Sequence, residues 1–234
     1  MHRYVVPASV KDRVVSRMGR LLAHDTIEAG RTALVVVDMQ NYFCAQGFPA
    51  EVPLSREIVP NINRMAKTVR AAGGAVVWIQ TTAVGALEHW RNYQTRMLTR
   101  HRQQARLAGL DEASEGFKLF PALEVLPGDI RVKKISYSAF MPGSSDIDAQ
   151  LKARGIDTVL ITGTATNVCC ESTARRDAAR LQGHHAVGRQ RDIDRGGARG
   201  RAQHVHDVLR RRDEHRRGDH AAGTSSALQD YVRQ

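Results

Sequence analysis

The 234-residue sequence has little cysteine, few aromatic residues and no long apolar run. Three cysteines, two of them adjacent, cannot form a disulfide framework, and no Cys-x-x-Cys pair suggests a zinc finger. No apolar run approaches the roughly 18 residues of a membrane span, and no charged-then-apolar leader stands at the N-terminus. We therefore expect a cytoplasmic protein in a reducing environment, without a membrane partner.

Several motifs that would signal cofactor or metal chemistry are also missing. The sequence has no G-x-G-x-x-G after a strand, no G-x-x-x-x-G-K-[ST], no H-E-x-x-H and no G-x-S-x-G. The histidines before residue 182, which form no tight ligand cluster, are His2, His24, His89 and His101. We expect neither a cofactor nor a metal, and a Cys-His pair would require His89 or His101 to fold over the site.

The formal net charge of +11 raises the question of nucleic-acid binding. The charge is not one patch, because residues 182–234 carry 11 Lys and Arg against 7 Asp and Glu. No Lys/Arg stripe interleaves with aromatic residues in the rest of the chain. Nucleic acid is therefore not the expected partner, although a protein that binds it through its Arg-rich tail is an alternative.

The order of hydrophobic segments predicts one α/β domain at residues 31–181, preceded by an N-terminal arm at residues 1–30. The arm contains "VKDRVVSRMGRLL", with apolar residues at roughly helical spacing. Buried strands are predicted at residues 33–37, 75–80, 129–134 and 157–163, and helices at residues 55–73, 143–155 and 167–181. Residues 81–128 read as a helical insertion above the sheet. This alternation predicts a three-layer α-β-α, Rossmann-like fold with a mostly parallel sheet.

The pattern stops after Leu181, where another strand is expected. Residues 182–234 are rich in Arg, His, Asp and Gly and contain no strand-like run. We interpret them as an aberrant basic tail with two possible origins, a frameshift or true disorder. We favour the frameshift, because a one-base shift of permissible codons for "HVHDVLRRRDEHRR" yields an apolar, β-branched segment. Either origin would leave the C-terminal strands of the sheet disrupted, and resequencing the gene separates the two.

Three reactive side chains fall at the ends of predicted strands. Asp38 ends the first strand, Lys134 ends the third, and Cys169 follows the fourth in the first turn of a helix. In open parallel sheets, ligands bind at the carboxyl ends of the strands, so an acid, a cation and a thiol would share one edge. A carboxylate beside a thiol can take its proton and return it to a leaving amine.

Each of these residues has a neighbour or a structural role that competes with the catalytic interpretation. Asp38 could instead only cap the turn after its strand, and both adjacent thiols could be buried structural residues. Cys170 points about 100° away from Cys169 around the helix, so both cannot face the same pocket. Strand alternation places Lys133 and Lys134 on opposite faces, so one of them joins the site. A helix N-terminus capped by Thr166 or Asn167 is expected to lower the pKa of the nucleophilic thiol.

Together, three segments resemble the isochorismatase-like cysteine hydrolases. "ALVVVDMQNYF" is similar to their first-strand motif, "KISYSAF" to their lysine motif and "GTATNVCCESTARRDA" to their nucleophile motif. The resemblance covers residues 31–181 and is greatest to the ureidoacrylate and N-carbamoylsarcosine amidohydrolase branch. It implies an Asp38–Lys134–Cys169 triad and an oxyanion hole formed by the N–H groups of Ala165 and Cys169.

The resemblance also implies a cis peptide between Thr164 and Ala165, and hydrolysis of a small linear amide or ureido compound through a Cys169 thioester. It implies a homodimer or homotetramer. Nicotinamidases of this superfamily bind a metal through histidines that follow the first-strand motif. No histidine lies between residues 44 and 80, so no metal is expected here. A vinyl ether hydrolase and a catalytically silent binding protein of the same fold remain alternatives.

Large and polar residues near the motifs are candidates for substrate binding, although we favour core packing for Trp78. The candidates are Gln40, Phe43, Trp78, Trp90 and Tyr137.

Overall fold

The computed structural model describes residues 7–21, 27–177 and 182–184, and the remainder of the predicted tail lies outside these residues. Its five strands are β1 (Thr32–Val37), β2 (Ala75–Thr81), β3 (Ile130–Lys134), β4 (Thr158–Gly163) and β5 (Gln182–His184). They form one sheet of order β3-β2-β1-β4-β5, in which every neighbouring pair is parallel. The predicted parallel α/β sheet is confirmed.

The sheet has apolar side chains on both faces because its central strands are built from β-branched and aliphatic residues. All six residues of β1 are buried, as expected for a strand covered by helices on each side. One face packs on α3 (Val59–Ala71), whose buried stripe recurs at helical spacing from Val59 to Val69. The other face packs on α6 (Ile147–Lys152) and α7 (Glu171–Asp177). This gives the predicted three layers.

Helix boundaries differ from the sequence prediction at α3. Ser55 was expected to begin this helix, but it lies inside a 3₁₀ helix at Pro53–Ile58. The α-helix starts at Val59 with Pro60 in its first turn, where proline's fixed φ and missing N–H are tolerated. The helix ends before Gly73, which has a φ of +83°, a left-handed value that favours glycine.

The segment between β2 and β3, residues 82–129, is here called the cap segment. It contains two short helices, α4 (Ala86–His89) and α5 (Arg100–Gly109), and a π-helix between them at Tyr93–Met97. The long polar helix expected there is therefore broken into three pieces. The backbone hydrogen bond from Asn41 N to Lys118 O attaches the cap segment to the residues that follow β1. The bond from Ala83 N to Leu110 O joins the start of the cap segment to the residue after α5.

The described residues before β1 and after α7 differ in how they join the domain. The N-terminal arm contributes α1 (Ala8–Met18), and no residue of this helix is buried. The short α2 (Asn41–Cys44) follows the end of β1. Sequence analysis predicted no strand after Leu181, yet β5 adds three residues beside β4. No helix among the described residues combines the length and the apolarity needed to cross a bilayer.

Candidate active site

The strand order places the carboxyl ends of β1 and β4 next to each other. At this point the order in which strands are added to the sheet reverses, because β2 and β3 lie on one side of β1, and β4 and β5 on the other. Val37 pairs with Ile79 on one side and with Gly163 on the other, and Thr81 pairs with Lys134. Residues that follow these positions therefore line one carboxyl edge, where open α/β sheets bind ligands.

Three predicted side chains meet at this edge. Lys134 Nζ lies 2.9 Å from Asp38 Oδ2 and 3.7 Å from Cys169 Sγ. Asp38 is fully buried, and Lys134 and Cys169 are 1% and 8% exposed. The structure thus assembles a carboxylate, an ammonium and a thiol in a site largely shielded from water.

Thr81, which no sequence motif marks, forms hydrogen bonds with both Asp38 and Lys134. Its hydroxyl donates to Asp38 Oδ1 at 2.8 Å and accepts from Lys134 Nζ at 2.6 Å. Nζ also donates to Ser136 O at 3.2 Å. Asp38 Oδ2 faces Nζ as an ion pair, and no donor among the described residues reaches it with hydrogen-bond geometry. Oδ1 is thereby held in place, while Oδ2 keeps a lone pair available.

Charge and burial set the protonation of the site. Burial acts to lower the pKa of Lys134, but the Asp38 carboxylate, joined by Cys169 where that thiol is ionised, outweighs burial and raises that pKa. Burial and the Asp38 carboxylate raise the pKa of Cys169 to about 12, against a smaller lowering by Lys134. The expected low thiol pKa at a helix N-terminus is therefore wrong, because desolvation of a thiolate beside a carboxylate is the larger effect. At neutral pH the resting thiol carries its proton.

The turn before Cys169 shapes its surroundings. The peptide between Thr164 and Ala165 is cis, as the resemblance implied. A five-residue π-helix, Thr166–Cys170, follows with Ala165 as its N-cap and no side-chain cap, so the expected capping by Thr166 or Asn167 is wrong. The N–H groups of Val168 and Cys170 donate to Ala165 O at 3.2 Å.

The oxyanion hole is predicted to consist of the backbone N–H groups of Ala165 and Cys169, so their hydrogen bonding matters. Outside the regular helices and strands of the described residues, no backbone hydrogen bond uses the N–H of Ala165, whereas Cys169 lies within the π-helix Thr166–Cys170. The hydroxyls of Thr164 and Thr166 are also buried without a partner in the described part of the chain. Polar groups without partners are therefore concentrated around Ala165, as a site for an oxyanion requires.

Gly163 lets β1 and β4 approach each other at the site. Its φ is +116°, and a Cβ placed there would lie 2.1 Å from Val37 O. A side chain would push the two strands apart, and only glycine adopts this backbone conformation readily. The glycine of the nucleophile motif therefore sets the spacing between Asp38 and the turn that carries Cys169.

The neighbours of the site residues have other roles. Cys170 is buried in the apolar cluster between the sheet and α6. Lys133 points to the opposite side of β3 from Lys134, where it pairs with Glu112 and lies over the ring of Phe117. None of the three cysteines forms a disulfide.

Two predicted substrate contacts, Trp90 and Tyr137, belong to a group of rings beside the site. Trp90 stacks on Tyr93 with ring centroids 4.0 Å apart, and both meet Tyr137 edge-on at 4.7 and 5.3 Å. We call these three rings the aromatic cluster. Tyr137 packs against the apolar cluster that contains Cys169. Arg106 lies over two of the rings, and no motif in the sequence marks Arg106 or Tyr93.

Gln40 has a supporting position rather than the predicted contact with substrate. It is fully buried. Its Nε2 donates to Thr81 O and Phe117 O at 3.0 Å, and its Oε1 accepts from Thr81 N at 2.7 Å. Because backbone groups occupy the amide, Gln40 fixes the end of β2 and thereby the Thr81 hydroxyl.

Trp78 and Phe43 were also predicted to contact substrate, and both pack on the α3 face of the sheet. Trp78 is fully buried, and its Nε1 donates to Asp129 at 2.8 Å, just before the first residue of β3. It is thus directed away from the carboxyl edge, and the core interpretation of Trp78 is the correct one. Phe43 meets Tyr42 edge-on at 5.1 Å.

No cluster of three or more His, Cys, Asp or Glu side chains suited to a metal occurs in the described part of the chain. The triad offers one carboxylate and one thiol, and its ammonium cannot act as a ligand while protonated. These residues do not form a metal site.

Residues 32–187 match the family model described as the isochorismatase domain. Over 162 residues the chain is 36% identical to a ureidoacrylate amidohydrolase, RutB, of Pseudomonas savastanoi pv. phaseolicola. That alignment covers 64% of this chain and 65% of the relative, so the chain spans about two thirds of the relative's length.

Solved structures show the same architecture. A cysteine hydrolase from Pseudomonas syringae pv. phaseolicola superposes with a TM-score of 0.66 at 26% identity, covering 82% of this chain and 89% of that one. An N-carbamoylsarcosine amidase from Thermoplasma acidophilum gives a TM-score of 0.52 at 24% identity, covering 65% and 79%. At that identity the second similarity concerns the fold alone.

Proposed function

Because this chain belongs to the isochorismatase family, we propose that it is a cysteine hydrolase that cleaves a C–N bond of a small linear amide or ureido compound. The observation that carries the proposal is the contact of Lys134 Nζ with both Asp38 Oδ2 and Cys169 Sγ, at 2.9 and 3.7 Å. The similarity to ureidoacrylate amidohydrolases supports a ureido substrate.

The first step forms a bond from Cys169 Sγ to the substrate carbonyl carbon. The thiol is protonated at rest, because its pKa is raised to about 12. Asp38 therefore takes the proton as Sγ attacks, rather than before substrate arrives. Oδ2 suits this role because it faces Lys134 Nζ at 2.9 Å, and the same Nζ lies 3.7 Å from Cys169 Sγ. The Lys134 ammonium stabilises the negative charge as it develops on sulfur.

The carbonyl oxygen gains the negative charge of the tetrahedral intermediate and is held by the N–H groups of Ala165 and Cys169. Collapse breaks the C–N bond, and the proton on Asp38 passes to the departing nitrogen. A thioester remains on Cys169. Water then attacks this thioester, with Asp38 again as the base, and the acid product leaves with regeneration of the thiol.

A panel of amide substrates tests the proposal. Ammonia release is measured from ureidoacrylate, N-carbamoyl amino acids and nicotinamide, using the chain and two cysteine variants. We expect hydrolysis of ureido or carbamoyl compounds, complete loss in Cys169→Ser, and activity within about threefold of the parent in Cys170→Val, a volume-conserving change in a packed position.

Equal losses in the two variants would contradict the assignment of the nucleophile. A silent binding protein of the same fold would release no ammonia from any compound of the panel. A vinyl ether hydrolase would act on isochorismate and leave the whole panel intact. Cytoplasmic location and a homodimeric or homotetrameric state stay predictions of the sequence.

A further inference from the structure

Arg106 is the cationic side chain of α5 that lies against the aromatic cluster. Its guanidinium carbon is 5.6 Å from the ring centre of Tyr93 and 5.8 Å from that of Trp90. Aromatic faces hold a guanidinium in one orientation and leave its N–H edge available. The ring contacts therefore position Arg106 without neutralising it.

The charge of Arg106 has no acidic partner among the described residues, although the side chain is half-buried. Other partly buried arginines are paired, as Arg56 with Glu51 at 2.8 Å and Arg70 with Asp129 at 2.6 Å. A half-buried cation loses hydration, and proteins normally compensate for that loss with an anion. Arg106 is therefore a position where an anion from outside the chain would be stabilised.

The position lies within electrostatic reach of the nucleophile. The positive charge of Arg106 lowers the pKa of Cys169 and of Tyr137, although burial raises both pKa values overall. It also acts to lower the pKa of Lys134. Tyr137 links the two regions, because it follows Lys134 by three residues and touches both rings beneath Arg106.

We propose that Arg106 binds the carboxylate of the substrate and thereby selects ureido or amide compounds that carry a carboxylate away from the scissile bond. The guanidinium pairs with the carboxylate through two parallel hydrogen bonds, while the chain of the substrate lies against the aromatic cluster. The inference rests on the proposed function and adds a specificity residue to it.

The test compares N-carbamoyl-β-alanine with N-carbamoyl-β-alaninamide, which differ in that an amide replaces the carboxylate. Arg106→Gln is expected to raise KM for the acid about 10- to 100-fold, with kcat within about threefold, because a charge-assisted pair is lost. KM for the amide should change less than about twofold. Arg106→Lys should give an intermediate KM, since it keeps the charge and loses the paired geometry.

Arg102→Gln is the matched control, because Arg102 is an exposed arginine one turn earlier on α5. Its kinetics should equal those of the parent with both substrates. Equal effects of Arg106→Gln on the acid and the amide, or no effect on either, would overturn the inference. If circular dichroism shows that Arg106→Gln does not fold, KM for the acid and for the amide is compared between Arg106→Lys and the parent instead.

A binding measurement separates this inference from the proposed function. In a Cys169→Ala background, calorimetric titration with the same two compounds requires no turnover. Tighter binding of the acid that is lost in Cys169→Ala/Arg106→Gln supports the role of Arg106 even if the parent hydrolyses neither compound. Equal binding of acid and amide in the Cys169→Ala background refutes it even if the parent is an active hydrolase.

Discussion

Replacing Thr81 with valine tests whether one hydroxyl organises the charged centre. Valine has nearly the same shape, so the substitution removes the hydrogen bonds to Asp38 at 2.8 Å and from Lys134 at 2.6 Å without opening a large cavity. Hydrogen bonds to charged groups are worth about 1.5–3 kcal/mol each. Because the ion pair at 2.9 Å between Asp38 and Lys134 persists, we expect the free energy of unfolding to fall by about 2–4 kcal/mol.

For a chain of this size, each kcal/mol shifts Tm by about 2–4 °C, so Tm should drop by roughly 5–15 °C. The carboxylate also loses the bond that orients Oδ1, and kcat for ammonia release should decrease about 10- to 100-fold. Thermal unfolding by circular dichroism and steady-state ammonia release measure the two effects. Thr81→Ser keeps the hydroxyl and should restore most of the activity.

Two outcomes would refute this reasoning. Unchanged Tm and kcat in Thr81→Val would mean that the hydroxyl is not part of the charged centre. A loss in Thr81→Ser as large as in Thr81→Val would mean that the methyl group, and therefore packing, is what matters at this position.

Two further predictions concern protonation and the core. The folded state binds the Cys169 proton more tightly than the unfolded state, since the pKa rises from 9.0 to about 12. Stability from this group is present below pH 9 and is lost as pH rises toward 12, so wild type should lose stability faster than Cys169→Ser in urea titrations over that range. Parallel curves for the two proteins would contradict the raised pKa. Trp78→Phe should lower the free energy of unfolding by about 2–4 kcal/mol through the lost bond to Asp129 and the smaller ring, with KM unchanged. An increase in KM at constant stability would mean that Trp78 contacts the substrate instead of packing in the core.

The sequence was sufficient to predict four of the five strands in the described part of the sheet, and the meeting of Asp38, Lys134 and Cys169. Continuous β-branched runs mark strands that are buried on both faces, and parallel pairing brings their carboxyl ends to one edge. Strand alternation also separated Lys133 from Lys134, whose side chains are exposed and buried respectively. These inferences need only local pattern and topology.

Residues that act through long-range contacts were missed. Thr81 bonds to side chains 43 and 53 residues away, and nothing in "QTTA" distinguishes it from Thr82. Arg106 and Tyr93 meet because the cap segment breaks into three helices, which the continuous polar pattern did not indicate. The thiol pKa was misjudged because a helix terminus is visible in a sequence, whereas the burial of Cys169 is not.

The strand order of the sheet has a consequence for when the chain becomes competent during synthesis. Strand β1 has β2 on one side, but its other neighbour, β4, begins at Thr158. A growing chain can therefore pair the first three strands, and bring Lys134 to Asp38, before Cys169 has been translated. The ion pair between Asp38 and Lys134 would then form first, and the Cys169 thiol would be the last group to join the site.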